Sequence, residues 1–217
     1  MAADKVSPRL VLVLGARPGL ASELAGQIGK FDGLIATVVL EAYQNDPVSP
    51  GELAVAVAAI QAAGIATLIS GDAALARIVK ADGVHLPPSK TALTSYREAR
   101  DILGGRFIVG VDVGRTRHDA MVLGEEGADY IAFGIPAHVE DRDTARNRRL
   151  ELIRWWSEIF EPPCVAFDVE TPDDARELAE AGADFIAVRV PADVPATAVA
   201  GFLTPFAQIF SGTAAAT

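Results

Sequence analysis

Four acidic residues stand where short apolar runs end. Glu41 follows "LIATVVL", Asp72 lies just past "TLIS", Asp112 follows "FIVGV" and Asp168 follows "CVAF". Carboxylates gathered on one face can hold a divalent cation through oxygen ligands, neutralise a cationic ligand, or serve as acid and base in a proton transfer. Two arginines accompany them, Arg17 in "GARPG" and Arg189 in "AVRV". Arg17, Glu41, Asp72, Asp168 and Arg189 are therefore the candidate ligand-binding residues. Asp112 is the candidate acid–base group. His138 joins it because it lies in the long segment "GIPAHVEDRDTA", and long loops at such a face cover ligands. His85 falls within a four-residue apolar run and reads as a hydrogen-bonded core residue, whereas His118 reads as a surface or capping residue. No His/Cys set has metal-ligand spacing and no Ser-His-Asp arrangement can be picked out, so no residue is assigned to a metal.

The elements that must position these side chains are eight short runs rich in β-branched residues, at 9–15, 33–41, 65–70, 83–86, 106–112, 129–134, 164–168 and 184–190. They are continuously apolar rather than alternating, as parallel strands covered on both faces are. Helical patterns separate them. "PGELAVAVAAIQAAG" (50–64) has Pro50 near its start and Gly64 past its end. "TPDDARELAEAG" (171–182) has Thr171 as N-cap, Pro172 in the first turn and Gly182 as stop. "TARNRRLELIRWWSEIF" (144–160) opens on Thr144, with Leu152, Trp155, Trp156 and Ile159 at near-helical spacing, a face for core or interface packing.

One junction recurs. "KADGVHL", "GADYIAFG" and "GADFIAVR" each end a helix, pass through Ala-Asp and enter an apolar run. Small residues permit the tight return, and Gly127 and Gly182 stop the helix. Eight such units without a Pro-, Gly- or Ser-rich linker predict a single (β/α)₈ barrel over residues 1–210, with a disordered tail at 211–217. The rival is an open doubly wound sheet, whose glycine fingerprint is incomplete in "LGARPGLA". In a barrel, the carboxyl ends of the strands carry the site, which is where the acidic residues fall.

The chain has 217 residues, half of them apolar, and a formal net charge of -10. That charge repels phosphate backbones and anionic lipid, so neither nucleic acid nor membrane is expected as a partner. A small-molecule ligand is. The N-terminal "MAADKVSP" has no apolar targeting core, and Cys164 is the only cysteine, so a cytoplasmic location is expected. Trp155 and Trp156 could serve a homodimer contact.

The stretches "TLISGDAALARIVKADGVHL", "FIVGVDV", "GADYIAFGIP" and "AGADFIAV" resemble the thiamine phosphate synthase family, which includes a thiazole tautomerase branch. The resemblance covers roughly 30–190. It implies a (β/α)₈ barrel and, for the synthase, Mg²⁺-dependent joining of a pyrimidine pyrophosphate to a thiazole phosphate. The family's working motifs are replaced. Its Q-x-R-x-K after the second strand reads "VVLEAY" here, with Glu41 for the arginine and Tyr43 for the lysine. Its I-N-D reads "ISGD", with Asp72 one place late. Its G-Q-x-D reads "PPSK", with Lys90 for the acid. Its G-V-S reads "GVD" at Asp112, its T-x-T-K loop becomes roughly "VEDR", and the G-G of its seventh strand becomes Asp168 and Val169. The resemblance therefore implies a barrel linked to thiamine biosynthesis with altered or lost synthase chemistry and no Mg²⁺ cofactor. The alternatives are a non-catalytic ligand- or partner-binding barrel, and a metal-independent tautomerase or isomerase using Asp112 or His138. Four carboxylates around one arginine further predict that Arg189 pairs internally with Asp168 and that the pocket rejects phosphate.

Overall fold

The continuously apolar runs close into a barrel of eight parallel strands in sequential order, β1 to β8, which excludes the open sheet. The computed structural model describes residues 7–17, 20–31, 33–41, 48–136 and 138–211, without the side chains of 21–23, 25 and 211. The strands are β1 (Arg9–Gly15), β2 (Ile35–Glu41), β3 (Ala66–Ser70), β4 (Gly83–Leu86), β5 (Ile108–Asp112), β6 (Tyr130–Phe133), β7 (Cys164–Val169) and β8 (Phe185–Arg189). The helices are α1 (Leu20–Ile28), α2 (Pro50–Ala62), α3 (Ala73–Ile78), α4 (Ala92–Leu103), α5 (Arg117–Glu125), α6 (Arg142–Ile159), α7 (Pro172–Ala181) and α8 (Val199–Ser211). Ser211, expected in the tail, closes α8, and 212–217 lie outside the described residues. Among the described residues no helix is long and apolar enough to cross a membrane.

Each Ala-Asp junction performs the same two tasks. The helix ends on a left-handed residue: Lys80 (φ 59°), Gly127 (φ 90°) and Gly182 (φ 113°). The next alanine then turns its N–H back to a carbonyl of the last turn, Ala81 to Ala76, Ala128 to Leu123 and Ala183 to Leu178, each at 3.0 Å. This is a Schellman closure. The aspartate then reaches the preceding strand. Asp82 accepts the Thr67 N–H at 2.7 Å, Asp129 that of Val109 at 2.7 Å, and Asp184 that of Cys164 at 2.8 Å. The carboxylate thus satisfies a backbone donor at the amino end of the neighbouring strand, a structural use of acid at the bottom of the barrel.

Side chains alternate between two cores. One face of the strands packs on the helices through residues such as Leu12, Leu40, Ile69 and Val109. The other fills the barrel with Val11, Val13, Val39, Leu68, Ala132, Val165, Phe167 and Ala187. Gly110 is required there, because a Cβ would collide with the Tyr130 ring. Helix α6 starts earlier than Thr144. Asp141 caps it by accepting the Thr144 N–H at 3.0 Å, aspartate being as good a cap as threonine or better. Its buried stripe is Ala145, Arg149, Leu152, Ile153 and Trp156, while Ile159 is exposed. Trp155 is partly buried and lies under the Arg117 guanidinium, 4.8 Å from the ring centre.

Candidate functional site

The even spacing of inward residues brings Glu41, Ser70, His85, Asp112, Phe167, Asp168 and Arg189 to a cavity of about 460 Å³ at the carboxyl end of the barrel, with Arg142 at its edge. Asp112 ends β5 and is only 3% exposed. Its Oδ1 accepts the N–H groups of Gly114 at 2.7 Å and Gly134 at 3.2 Å. Burial is the main reason its carboxyl is pushed up to about 7, and the neighbouring Asp168 charge adds to it, against the stabilising N–H donors. The two carboxylates flank Gly134. A Cβ there would collide with Asp112 and lie 2.9 Å from Asp168 Oδ2, so only glycine fits between them.

Asp168 is held in an unusual conformation. Its φ is 56°, a left-handed state that costs a non-glycine residue about 1–2 kcal/mol, and the β7–β8 register breaks between Ala166 and Val169. Its Oδ2 accepts the Ile135 N–H at 2.9 Å. From below, the fully buried Arg149 donates to the carbonyls of Phe167 and Asp168, at 2.5 and 2.9 Å, and binds both oxygens of Asp174 at 2.8 and 2.7 Å. Arg149 therefore fixes the kink. Sequence reasoning passed over it as one of several arginines in "TARNRRLELIR". The available signal was its helical phase, four residues after Ala145 and three before Leu152.

The cavity's cations are already paired. Arg189 Nη1 donates to Glu41 Oε2 at 2.5 Å, so its partner is Glu41 and the expected pair with Asp168 does not form. The barrel geometry explains the correction. Strand β1 lies between β2 and β8, with Gly15 opposite Glu41 and Val13 opposite Arg189. Two long side chains on either side of β1 can therefore meet above it, while Asp168 is turned toward Ile135. Arg142 pairs with Glu170 at 2.6 Å, and Arg146 binds the same carboxylate. These two arginines hold Glu170 below the usual carboxylate range. His85 lines the cavity floor. It stacks on Phe167 with ring centres 4.3 Å apart, and its Nδ1 lies 2.9 Å from the Tyr130 hydroxyl. Burial, aided by the Arg189 charge, lowers its pKa to about 3, so the ring is neutral.

Three other candidates stand apart. Asp72 Oδ1 caps α3 by accepting the Leu75 N–H at 2.8 Å. Arg17 reaches the carbonyls of Ala192 and Val194, at 3.3 and 3.1 Å, and ties β1 to the chain after β8. His138 lines a neighbouring bowl rather than the cavity. Tyr43 lies outside the described residues.

The family's synthase implies Mg²⁺, and the donors here do not fit it. Among the described residues no three His, Cys, Asp or Glu side chains group as a metal site requires. Asp72 is engaged as a helix cap, and Lys90 contributes a positive charge where an acid was expected.

Comparison with known proteins agrees with the barrel and its junctions. The profile of the family described as thiamine monophosphate synthase matches residues 19–190. The thiamine-phosphate synthase of Erythrobacter litoralis (strain HTCC2594) is 38% identical over 193 residues, covering 87% of this chain and 89% of its own. That of Rhodospirillum centenum (strain ATCC 51521 / SW) is 42% identical over 148 residues, covering 66% and 70%. The thiamine phosphate pyrophosphorylase structure from Pyrococcus furiosus superposes with a TM-score of 0.68 over 94% of this chain and 96% of its own, at 22% identity, a likeness of fold. A barrel matched by this profile over most of its length, with relatives this similar, belongs to the thiamine monophosphate synthase family.

Proposed function

We propose that this chain binds an uncharged or cationic heterocycle of thiamine biosynthesis at the strand ends and moves a proton on it, without Mg²⁺-dependent pyrophosphate displacement. One observation carries the reading. Two carboxylates converge on Gly134 in a cavity whose two arginines are each already held by a glutamate. Such a site offers little to a pyrophosphate, which needs cations able to turn toward it. It suits a proton transfer. A carboxyl with pKa near 7 is half protonated at neutral pH and can both give and take a proton. Gly114 and Gly134 hold its Oδ1 in place, and Phe167 offers a flat apolar wall to a ring. Neutral His85 contributes a hydrogen bond without adding charge. The reaction class is a tautomerisation, in which the substrate keeps all its atoms and one proton changes position.

The test is deuterium incorporation into hydroxyethylthiazole tautomers in D₂O, followed by NMR. The expected result is exchange that depends on one ionisation near pH 7 and slows roughly 100-fold or more in D112N. Thiamine phosphate formed from the pyrimidine pyrophosphate and thiazole phosphate with Mg²⁺ at about 1 s⁻¹ or faster would overturn the reading. Binding without exchange would make the chain a ligand-holding barrel instead.

A further inference from the structure

Beside the cavity lies a second concavity, an open bowl of about 690 Å³ formed by the loops after β4, β5 and β6 and the first turns of α6. We propose that this bowl is an anion site for a phosphate group, separate from the carboxylate-lined cavity. Three cations line it from three different elements: Lys90 from the loop after β4, Arg115 from the loop after β5, and Arg148 from α6. His138 adds a ring nitrogen donor. Asp119 is the one acid of the lining, and it is engaged by the Thr116 hydroxyl at 2.5 Å. The lining therefore carries a positive excess on a chain whose net charge is -10.

The pairing pattern sets this bowl apart from the central cavity, whose Arg142 and Arg189 are both held by glutamates. Arg97, Arg100, Arg142, Arg146, Arg176 and Arg189 each hold a carboxylate within 3.0 Å. Among the described residues Lys90 and Arg115 have no ion pair or side-chain hydrogen bond, and Arg148 reaches Glu151 only at 3.3 Å. Cations left without acids in an acidic protein raise the local electrostatic potential and so lower the energy of an arriving dianion there, while the net negative charge repels anions at long range. The α5 N-terminus, at Arg117 beside the lining residue Thr116, adds its dipole in the same sense. Geometry also links the two concavities. Pro88 and Pro136 line both, so one ligand can place a ring in the cavity and a phosphate in the bowl. That linkage rests on the function proposed above, whereas the anion site itself does not.

The experiment titrates inorganic phosphate, and then hydroxyethylthiazole phosphate, into the isotope-labelled chain at low ionic strength. Saturable shifts of the His138 ring and the Arg115 amide are expected, with a Kd of roughly 1 mM or below for phosphate. The double variant Lys90→Ala/Arg115→Ala should weaken it about tenfold or more, while Arg189→Ala leaves it unchanged. Thiazole phosphate binding much more tightly than inorganic phosphate would show a tethered anion, and equal affinities a site for the free one. Absence of saturable shifts in the parent protein would overturn the proposal without touching the cavity's proton transfer. Phosphate binding lost in Arg189→Ala but kept in the double variant would place the anion in the cavity and overturn both readings. Exchange chemistry absent with phosphate binding intact would remove the proposed function alone.

Discussion

Replacing Asp112 by asparagine removes a charge but keeps the acceptor used by Gly114 and Gly134, and two buried groups set the consequence for stability. In the folded chain Asp112 keeps its proton up to about pH 7, against about pH 3.9 when unfolded. Between these values the native state carries the extra proton, so stability falls by about 1.4 kcal/mol per pH unit as pH rises. His85 acts in the opposite sense. Its folded pKa is about 3 against about 6.5 unfolded. The unfolded state carries that extra proton, and stability rises with pH at about the same slope. From about pH 4 to 6.5 the two slopes cancel, and D112N uncovers the histidine's. The variant should match the parent near pH 4, gain about 3 kcal/mol of its own stability by pH 6.5, and exceed the parent by on the order of 4 kcal/mol at pH 8. In a chain of this size that is roughly 10 °C in Tm. Guanidinium unfolding followed by tryptophan fluorescence reads it, because Trp156 is fully buried. A constant offset between variant and parent from pH 5 to 8 would refute the reasoning, since an ordinary carboxylate has finished titrating by then.

Two further substitutions test the junctions. Lys80 occupies the left-handed position that Gly127 and Gly182 fill elsewhere, so Lys80→Gly should raise stability by about 0.5–1 kcal/mol in denaturant titration, and a loss would contradict the strain argument. Asp184→Ala leaves the Cys164 N–H without its carboxylate. It should cost about 1–3 kcal/mol and speed hydrogen exchange at Cys164, with unchanged exchange counting against the tether.

The strands were legible because parallel strands buried on both faces have no polar side to show. Every run lies within two residues of its observed element at each end. The junctions were legible as a repeat, but their purpose was not. That Asp82, Asp129 and Asp184 each bind an N–H at the amino end of the previous strand depends on a neighbour 15 to 20 residues away. The site shows the same division. The gathering of Glu41, Asp112, Asp168 and Arg189 follows from strand ends sharing a face. The partner of Arg189 does not, because it turns on two register offsets across β1. Arg149 escaped notice because arginine is common on exposed helix faces, and only its phase in α6 marks it as buried.

Aspartate is used in two opposed ways in this barrel, and the difference supports the proposed site. At the amino ends of the strands each Ala-Asp carboxylate stays near solvent and accepts a backbone N–H, an arrangement that ties the helix end to the neighbouring strand. At the carboxyl ends Asp112 is buried beside a second carboxylate, and its charge costs stability at neutral pH. Asp168, beside it, also occupies a left-handed conformation that glycine would adopt without strain. Two unfavourable choices on either side of Gly134 are not needed to close the barrel, since glycine or asparagine would relieve each. The supporting structure instead holds them in place: Arg149 binds the Asp168 carbonyl, Ile135 binds its carboxylate, and Gly114 and Gly134 bind Asp112. Strain and perturbed ionisation kept together and braced on several sides are characteristic of a working site. Under the proposed function, the acid–base pair at Gly134, rather than the more exposed Glu41–Arg189 pair, is where the ligand's proton would move.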